Sequence, residues 1–236
     1  MARLPRLYAP ETPQLIEAKF AHALASPEQI TPAQTLDRLT EWLHESLAGQ
    51  ALALHGWSLT LDRLLLVATP DDDQALPKLV QGFARRYATR LQHGRVFEQR
   101  YHSALLQPGR WVLPALVYVD AMAARLNLAP EATRWPWASA AHHAGTLPQP
   151  QEGLTPHPDY WGLGNTPYER QAKYLALLQG GMAATELQEV ERAVFGQWAL
   201  GDAAFLEHIR HRANRRTSPR PRGRPRLQAK GRPPTG

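Results

Sequence analysis

The stretch HGWSLTLDRLLLVATP, His55 to Pro70, holds two short apolar runs separated by LTLDR. Runs of this length bounded by turn residues predict a strand pair. The approach strand, Ala51 to Leu59, alternates poorly. The return strand, Leu64 to Thr69, is nearly continuous Leu, Val and Ala, as expected of a central strand covered on both faces. With period-2 geometry Arg63, Leu65, Val67 and Thr69 share one face, and Leu64, Leu66 and Ala68 the other. A charge therefore stands at the entrance of an otherwise apolar strand.

Working outward, Gln14 to Phe20 reads as a first strand. Thr31, Pro32 and Gln34 predict a helix start that continues through Leu36, Leu39, Leu43 and Leu47 and closes at Gly49. After the acidic run Asp71 to Asp73, the spacing of Leu76, Leu79, Val80, Phe83 and Tyr87 predicts a second helix to about Leu91, with Arg85, Arg86 and Arg90 off its apolar stripe. Arg100 to Leu106 reads as a fourth strand and Arg110 to Leu126 as a third helix carrying Tyr118, with Pro114 near its first turn. The order strand, helix, strand, strand, helix, strand predicts an α+β fold: a ferredoxin-like antiparallel sheet covered by helices. Residues 1–130 form that domain on this reading, and 131–153, rich in His, Gly and Pro, form a loop or linker. Helix starts at Thr166, Thr185 and Asp202 predict a C-terminal helical appendage over 154–213. Residues 214–236 read as a disordered basic tail, since Arg and Pro leave nothing apolar to bury.

The chain has 236 residues, is 43% hydrophobic and contains no cysteine, so one main core and a cytoplasmic, reducing setting are expected. No window is long and apolar enough for a signal peptide or a membrane span. The formal charge of +6 is uneven: Arg210 to Gly236 holds ten Arg or Lys and no acid, leaving −4 on the rest. Lys78 to Arg110 is a second basic region, with seven basic residues against Glu98 alone. Two such regions point to an anionic partner.

The frame Trp57, Leu59, Val67, Thr69 and Pro70 resembles the bacterial REP-associated tyrosine transposases, relatives of the single-tyrosine HUH insertion-sequence transposases. GRVFEQRYHSAL, the Tyr118 helix, RWPWAS, LTPHPDYWGLGNTPYERQAKY, QWALGD and the basic tail carry the same resemblance. It implies DNA transposition or REP-element processing, DNA partners, and work as a monomer or homodimer. It implies Tyr118 as the nucleophile that would form a covalent phosphotyrosine with DNA. It also implies a divalent metal such as Mg or Mn, held by two histidines at the positions of Arg63 and Leu65 and assisted by an amide at Met122. Leucine has no lone pair, arginine is a fixed cation, and methionine is a poor ligand for hard ions. The resemblance is thus to a degenerate member: no metal or other cofactor is expected, and the metal-dependent half of the chemistry is expected to be impaired.

Each candidate residue has a plainer reading beside it. Tyr118 is either the nucleophile or a half-buried aromatic packing with Trp111 and Met122. Arg63 either grips a DNA phosphate in the metal's stead or pairs with Asp62 or another nearby acid. Arg85, Arg86, Arg90, Arg95 and Arg100 either track a DNA backbone, with Tyr87, Phe97 or Tyr101 as stacking surfaces, or form solvated helix and loop faces. Arg222, Gly223, Arg224, Pro225 and Arg226 form either an AT-hook-like reader of A·T-rich duplex or a nonspecific polybasic arm. His55, His102, His142, His143 and His157 show no ligand spacing, and solvated loop histidines are expected. A DNA-binding protein for single-stranded hairpins or A·T-rich duplex is the leading expectation. An active transposase working through Tyr118, and a non-catalytic protein-interaction module, are the alternatives.

Overall fold

The computed structural model describes residues 5–22, 32–91, 94–147 and 153–219, leaving aside the side chains of Arg90 and Leu91. The predicted hairpin is present as β2 (Leu52–Leu59) and β3 (Arg63–Pro70). Their register shifts between Leu54 and Gly56, so His55 occupies a bulge. That bulge is why the approach strand alternates poorly in sequence: one extra residue inverts the face assignment midway. Strand β1 (Gln14–Lys19) lies antiparallel between β3 and β4 (His102–Leu106). With α1 (Pro32–Leu47) after β1 and α2 (Ala75–Leu91) after β3, the order β2-β3-β1-β4 is the split arrangement expected from sequence.

One face of the sheet packs on α1 and α2. Phe20 stacks with Phe83, Tyr87 and Phe97 there, and Trp57 is fully buried against α1 beside His44. The opposite face packs on α3 (Val112–Asp120), where Leu116 sits above Gly56. The long third helix of the sequence reading divides at Ala121, whose φ and ψ are −82° and −3°, and resumes as α4 (Met122–Arg125). Because α3 is covered on both sides, seven of its nine residues are buried and its apolar pattern has no polar stripe.

What reads as a linker and an appendage belongs to the body. Beyond a 3₁₀ turn at Ala132–Arg134, the 137–139 segment pairs along the free edge of β2: Leu59 N–H donates to the Trp137 carbonyl and Ser139 N–H to that of Trp57. An exposed strand edge is thereby covered. Helix α5 (Ala140–His143) follows, then α6 (Pro158–Trp161), α7 (Pro167–Gly180) and α8 (Ala184–Gly196). Tyr160, Tyr174, Val190 and Val194 from these helices join the same buried core as β1 to β4. Strand β5 (Ala199–Leu200) adds to β4 in parallel, making the sheet a mixed five-stranded one, and α9 (Ala203–Arg210) closes the order. Thr166 and Asp202 cap α7 and α9 as expected, whereas α8 begins at Ala184, so Thr185 lies inside its first turn. The tail's expected start at 214 also moves. Asn214 bonds Tyr8 and Arg6, Thr217 is 5% exposed, and its carbonyl accepts from Ala199. These contacts supply the partners that composition does not reveal. The rest of the tail, 220–236, lies outside the described residues.

Candidate active site and nucleic-acid interface

Residues directly opposed across an antiparallel pair share a face. Glu17 of β1 opposes Leu65 of β3 on one side and His102 of β4 on the other, while Lys19 opposes Arg63. These residues and Tyr118 of α3 therefore meet on the α3 face. The Tyr118 hydroxyl donates to Glu17 Oε2 at 3.3 Å. Arg63 Nη1 donates to Glu17 Oε1 at 2.8 Å, and Arg63 also forks onto Asp62, Nε at 3.0 Å and Nη2 at 2.6 Å. Thr60 donates to the same Asp62 carboxylate. The side chains of Glu17 and Arg63 are 1% and 14% exposed. Arg63 is thus paired with nearby acids, the second of its two readings, and each nitrogen of its guanidinium already serves a carboxylate.

Tyr118 is fully buried rather than half-buried. Burial pushes its phenol well up from its ordinary value, the Glu17 charge pushes it further, and Arg125, stacked 4.9 Å from the ring centroid, and Arg63 only partly offset this. The hydroxyl is held protonated, as a donor to a carboxylate.

The donor set at this position does not suit a hard divalent ion. Leu65 offers no donor, Met122 is buried and offers a thioether, and Glu17 is neutralised by Arg63. Among the described residues no three His, Cys, Asp or Glu side chains come together as a metal set. The histidines are engaged elsewhere, and His55, His143 and His157 are buried, correcting the expectation of solvated loops. In His55, Nδ1 faces the Thr155 carbonyl at 2.7 Å and Nε2 faces the Thr69 hydroxyl at 2.8 Å. His157 Nδ1 accepts from Asp159 N–H.

A second buried polar cluster lies at the end of α3, with no counterpart in the sequence reading. Asp120, wholly buried, accepts from Ser139 Oγ at 2.6 Å and Tyr174 Oη at 2.7 Å, and meets His143 Nδ1 at 2.7 Å. His143 Nε2 faces the His55 carbonyl at 2.9 Å. The ring thus lies between a buried carboxylate and a backbone carbonyl. The cluster ties α3, α5, α7 and β2 together. Its partners are far apart in sequence, and the only signal available is an Asp within an apolar helix.

The arginines expected to form one track are divided. Arg85 and Arg86 belong to α2 on the far face of the sheet, and Arg86 pairs with Glu45 at 3.2 Å. Arg95 donates to the Phe97 carbonyl, and Arg100 is exposed at the start of β4. The expected stacking surfaces are core: Tyr87 and Tyr101 are buried, the Tyr101 phenol pushed up to about 12 by burial, and Phe97 stacks on Phe20 and Phe83. Exposed aromatic side chains lie instead at Trp161, stacked by Arg170 at 3.9 Å, at Tyr168, and at Phe195 beside His102. The Arg90 side chain and Arg222, Gly223, Arg224, Pro225 and Arg226 lie outside the described residues.

Fold and site together define an α+β protein with a split-βαβ sheet and a tyrosine-bearing helix across it. A solved structure of the same fold is that of a REP-associated tyrosine transposase bound to a REP hairpin. The likeness has a TM-score of 0.52 over 66% of this chain and 89% of that one, with 9% sequence identity, and is a likeness of fold. No protein-family model matches the sequence, and no curated protein is significantly similar to it.

Proposed function

We propose that this chain is a DNA-binding protein on the single-tyrosine transposase scaffold, with metal-dependent strand cleavage impaired. The observation that carries the reading is the Tyr118–Glu17–Arg63–Asp62 network, built where the sequence resemblance implies tyrosine and metal. A nucleophilic phenolate needs its proton removed and a phosphate whose charge is drawn off by a cation. Here the phenol is buried beside an anion, Arg63 is spent on two carboxylates, and Arg125, over the ring, pairs with Glu191. No metal or other cofactor is assigned to the position.

Binding rests on charge. The fold neighbour carries a DNA hairpin, and this chain's formal +6 is concentrated in two regions. Single-stranded hairpin DNA is the first expected ligand and A·T-rich duplex, through the Arg222–Arg226 segment, the second. The purified chain, titrated into a fluorescently labelled DNA hairpin with a single-stranded flank, is expected to bind with an affinity that falls steeply as salt rises. Absence of binding at 50 mM salt to hairpin and A·T-rich duplex alike would contradict the reading.

A further inference from the structure

One strand over from Glu17, the register brings His102 to the mouth of a pocket of about 290 Å³ between the start of β4 and the Gly196–Gln197–Trp198 corner after α8. Arg100, Arg215, Gln99 and Gln197 complete its polar lining. The corner is built rather than incidental. Gln197 takes a left-handed φ of 55°, and Gly196 leaves room for the Trp198 ring, whose Cδ1 a Cβ there would meet at 2.4 Å. The guanidinium of Arg215 lies 5.4 Å from the Trp198 ring centroid, and its Nη2 donates to the Gln197 carbonyl at 2.6 Å.

The pocket is rich in donors and poor in acceptors. Neither Arg100 nor Arg215 pairs with a carboxylate among the described residues, and burial holds the Arg215 pKa below its ordinary value with no anion to restore it. Gln99 Nε2 lies 2.9 Å from His102 Nε2, which places the ring proton on Nδ1 when the amide donates. That Nδ1 and Arg215 Nε are buried without an acceptor. Buried donors are ordinarily satisfied, so a cluster of orphaned ones beside two unpaired guanidinium groups marks a place for an anion.

We propose that this pocket is a phosphate site that holds one backbone phosphate of single-stranded DNA between Arg100 and Arg215. The inference rests on the DNA-binding reading and adds one surface position, beside His102, where a strand is held. A phosphodiester supplies the acceptor oxygens that the pocket lacks, and Trp198 keeps Arg215 in place to meet them.

The test uses the full chain and the flanked hairpin, comparing wild type with Arg100→Gln, Arg215→Gln, the double variant, and Arg85→Gln/Arg86→Gln on the far face. Arg100 is exposed, so Arg100→Gln probes the pocket without disturbing the fold; circular dichroism checks the others. The double variant is expected to bind about tenfold more weakly, with the slope of log affinity against log salt reduced by about 0.7, one single-strand phosphate. Arg100→Gln alone weakens binding several-fold, and the far-face pair less. Wild-type affinity and slope in both Arg100→Gln and the double variant overturn the phosphate site while leaving DNA binding standing. If the wild type binds no DNA, the DNA reading fails instead, and inorganic phosphate followed by ³¹P NMR decides the pocket. Saturable binding lost in the double variant supports it, and no binding overturns it.

Discussion

At the scale of single residues, the network around Glu17 makes a strong demand on Arg63. Glu17 is buried to 1% exposure, so Arg63→Met leaves its carboxylate without a cation and is expected to lower stability by about 3–5 kcal/mol in urea unfolding at pH 7. Glu17→Met combined with Arg63→Met is expected to recover part of that loss, because the buried charge is gone, while Asp62, 38% exposed, turns to water and the Tyr118 hydroxyl loses its acceptor. His55 carries a second prediction. Burial pushes its pKa down to about 4 from its ordinary 6.5, with the charges of His157 and His143 acting in the same direction and the Thr155 bond opposing them. The unfolded chain then binds more protons between those values, so the contribution is fully present above about pH 6.5 and lost as pH falls toward 4, amounting to about 3 kcal/mol. Stability measured from pH 7 to pH 4.5 should fall less in His55→Gln than in wild type. Arg63 and Tyr118 were legible in the sequence as the residues to watch. Glu17 was not. It alternates with small residues on a short strand, and only the β1–β3 register aims it at Arg63 and Tyr118.

At the scale of elements, α3 packs closely on β2 where the two cross at Gly56. A Cβ at Gly56 would meet Leu116 Cδ2 at 2.6 Å, with Ser139 Oγ at 3.2 Å and His143 Cε1 at 3.3 Å beside it. Leu116 is itself fully buried and has nowhere to move. Gly56→Ala is expected to destabilise by about 1–3 kcal/mol, read as a lowered midpoint in thermal unfolding. The strands and helices of the split sheet could be read from period and caps because each is long enough to carry its own pattern. The 137–139 edge segment and β5 could not. One is three residues long and the other two, and both are held by partners distant in sequence, β2 and β4. The misplaced arginine track has the same origin. Helical spacing puts Arg85 and Arg86 off the apolar stripe of α2 but does not say on which side of the sheet α2 lies.

At the scale of the whole molecule, the helices after residue 154 form a further layer over α3, and the same layering that stabilises the core buries the Tyr118 hydroxyl. The proposed function rests on this layering: the fold is shared with a REP-associated tyrosine transposase, and Tyr118 lies buried against Glu17. Among the described residues, basic side chains are divided between the far face of the sheet and the pocket beside His102, so the proposed DNA binding and any reaction at Tyr118 can be tested separately. The measurement that bears most directly on this is a denaturing gel of the purified chain incubated with single-stranded hairpin DNA and magnesium or manganese, with Tyr118→Phe alongside. The expected result is no covalent protein–DNA band in either protein under conditions where the native gel shifts. A covalent band in the wild type that vanishes in Tyr118→Phe would contradict the account, since it would mean that the phenol escapes Glu17 and attacks phosphate after all.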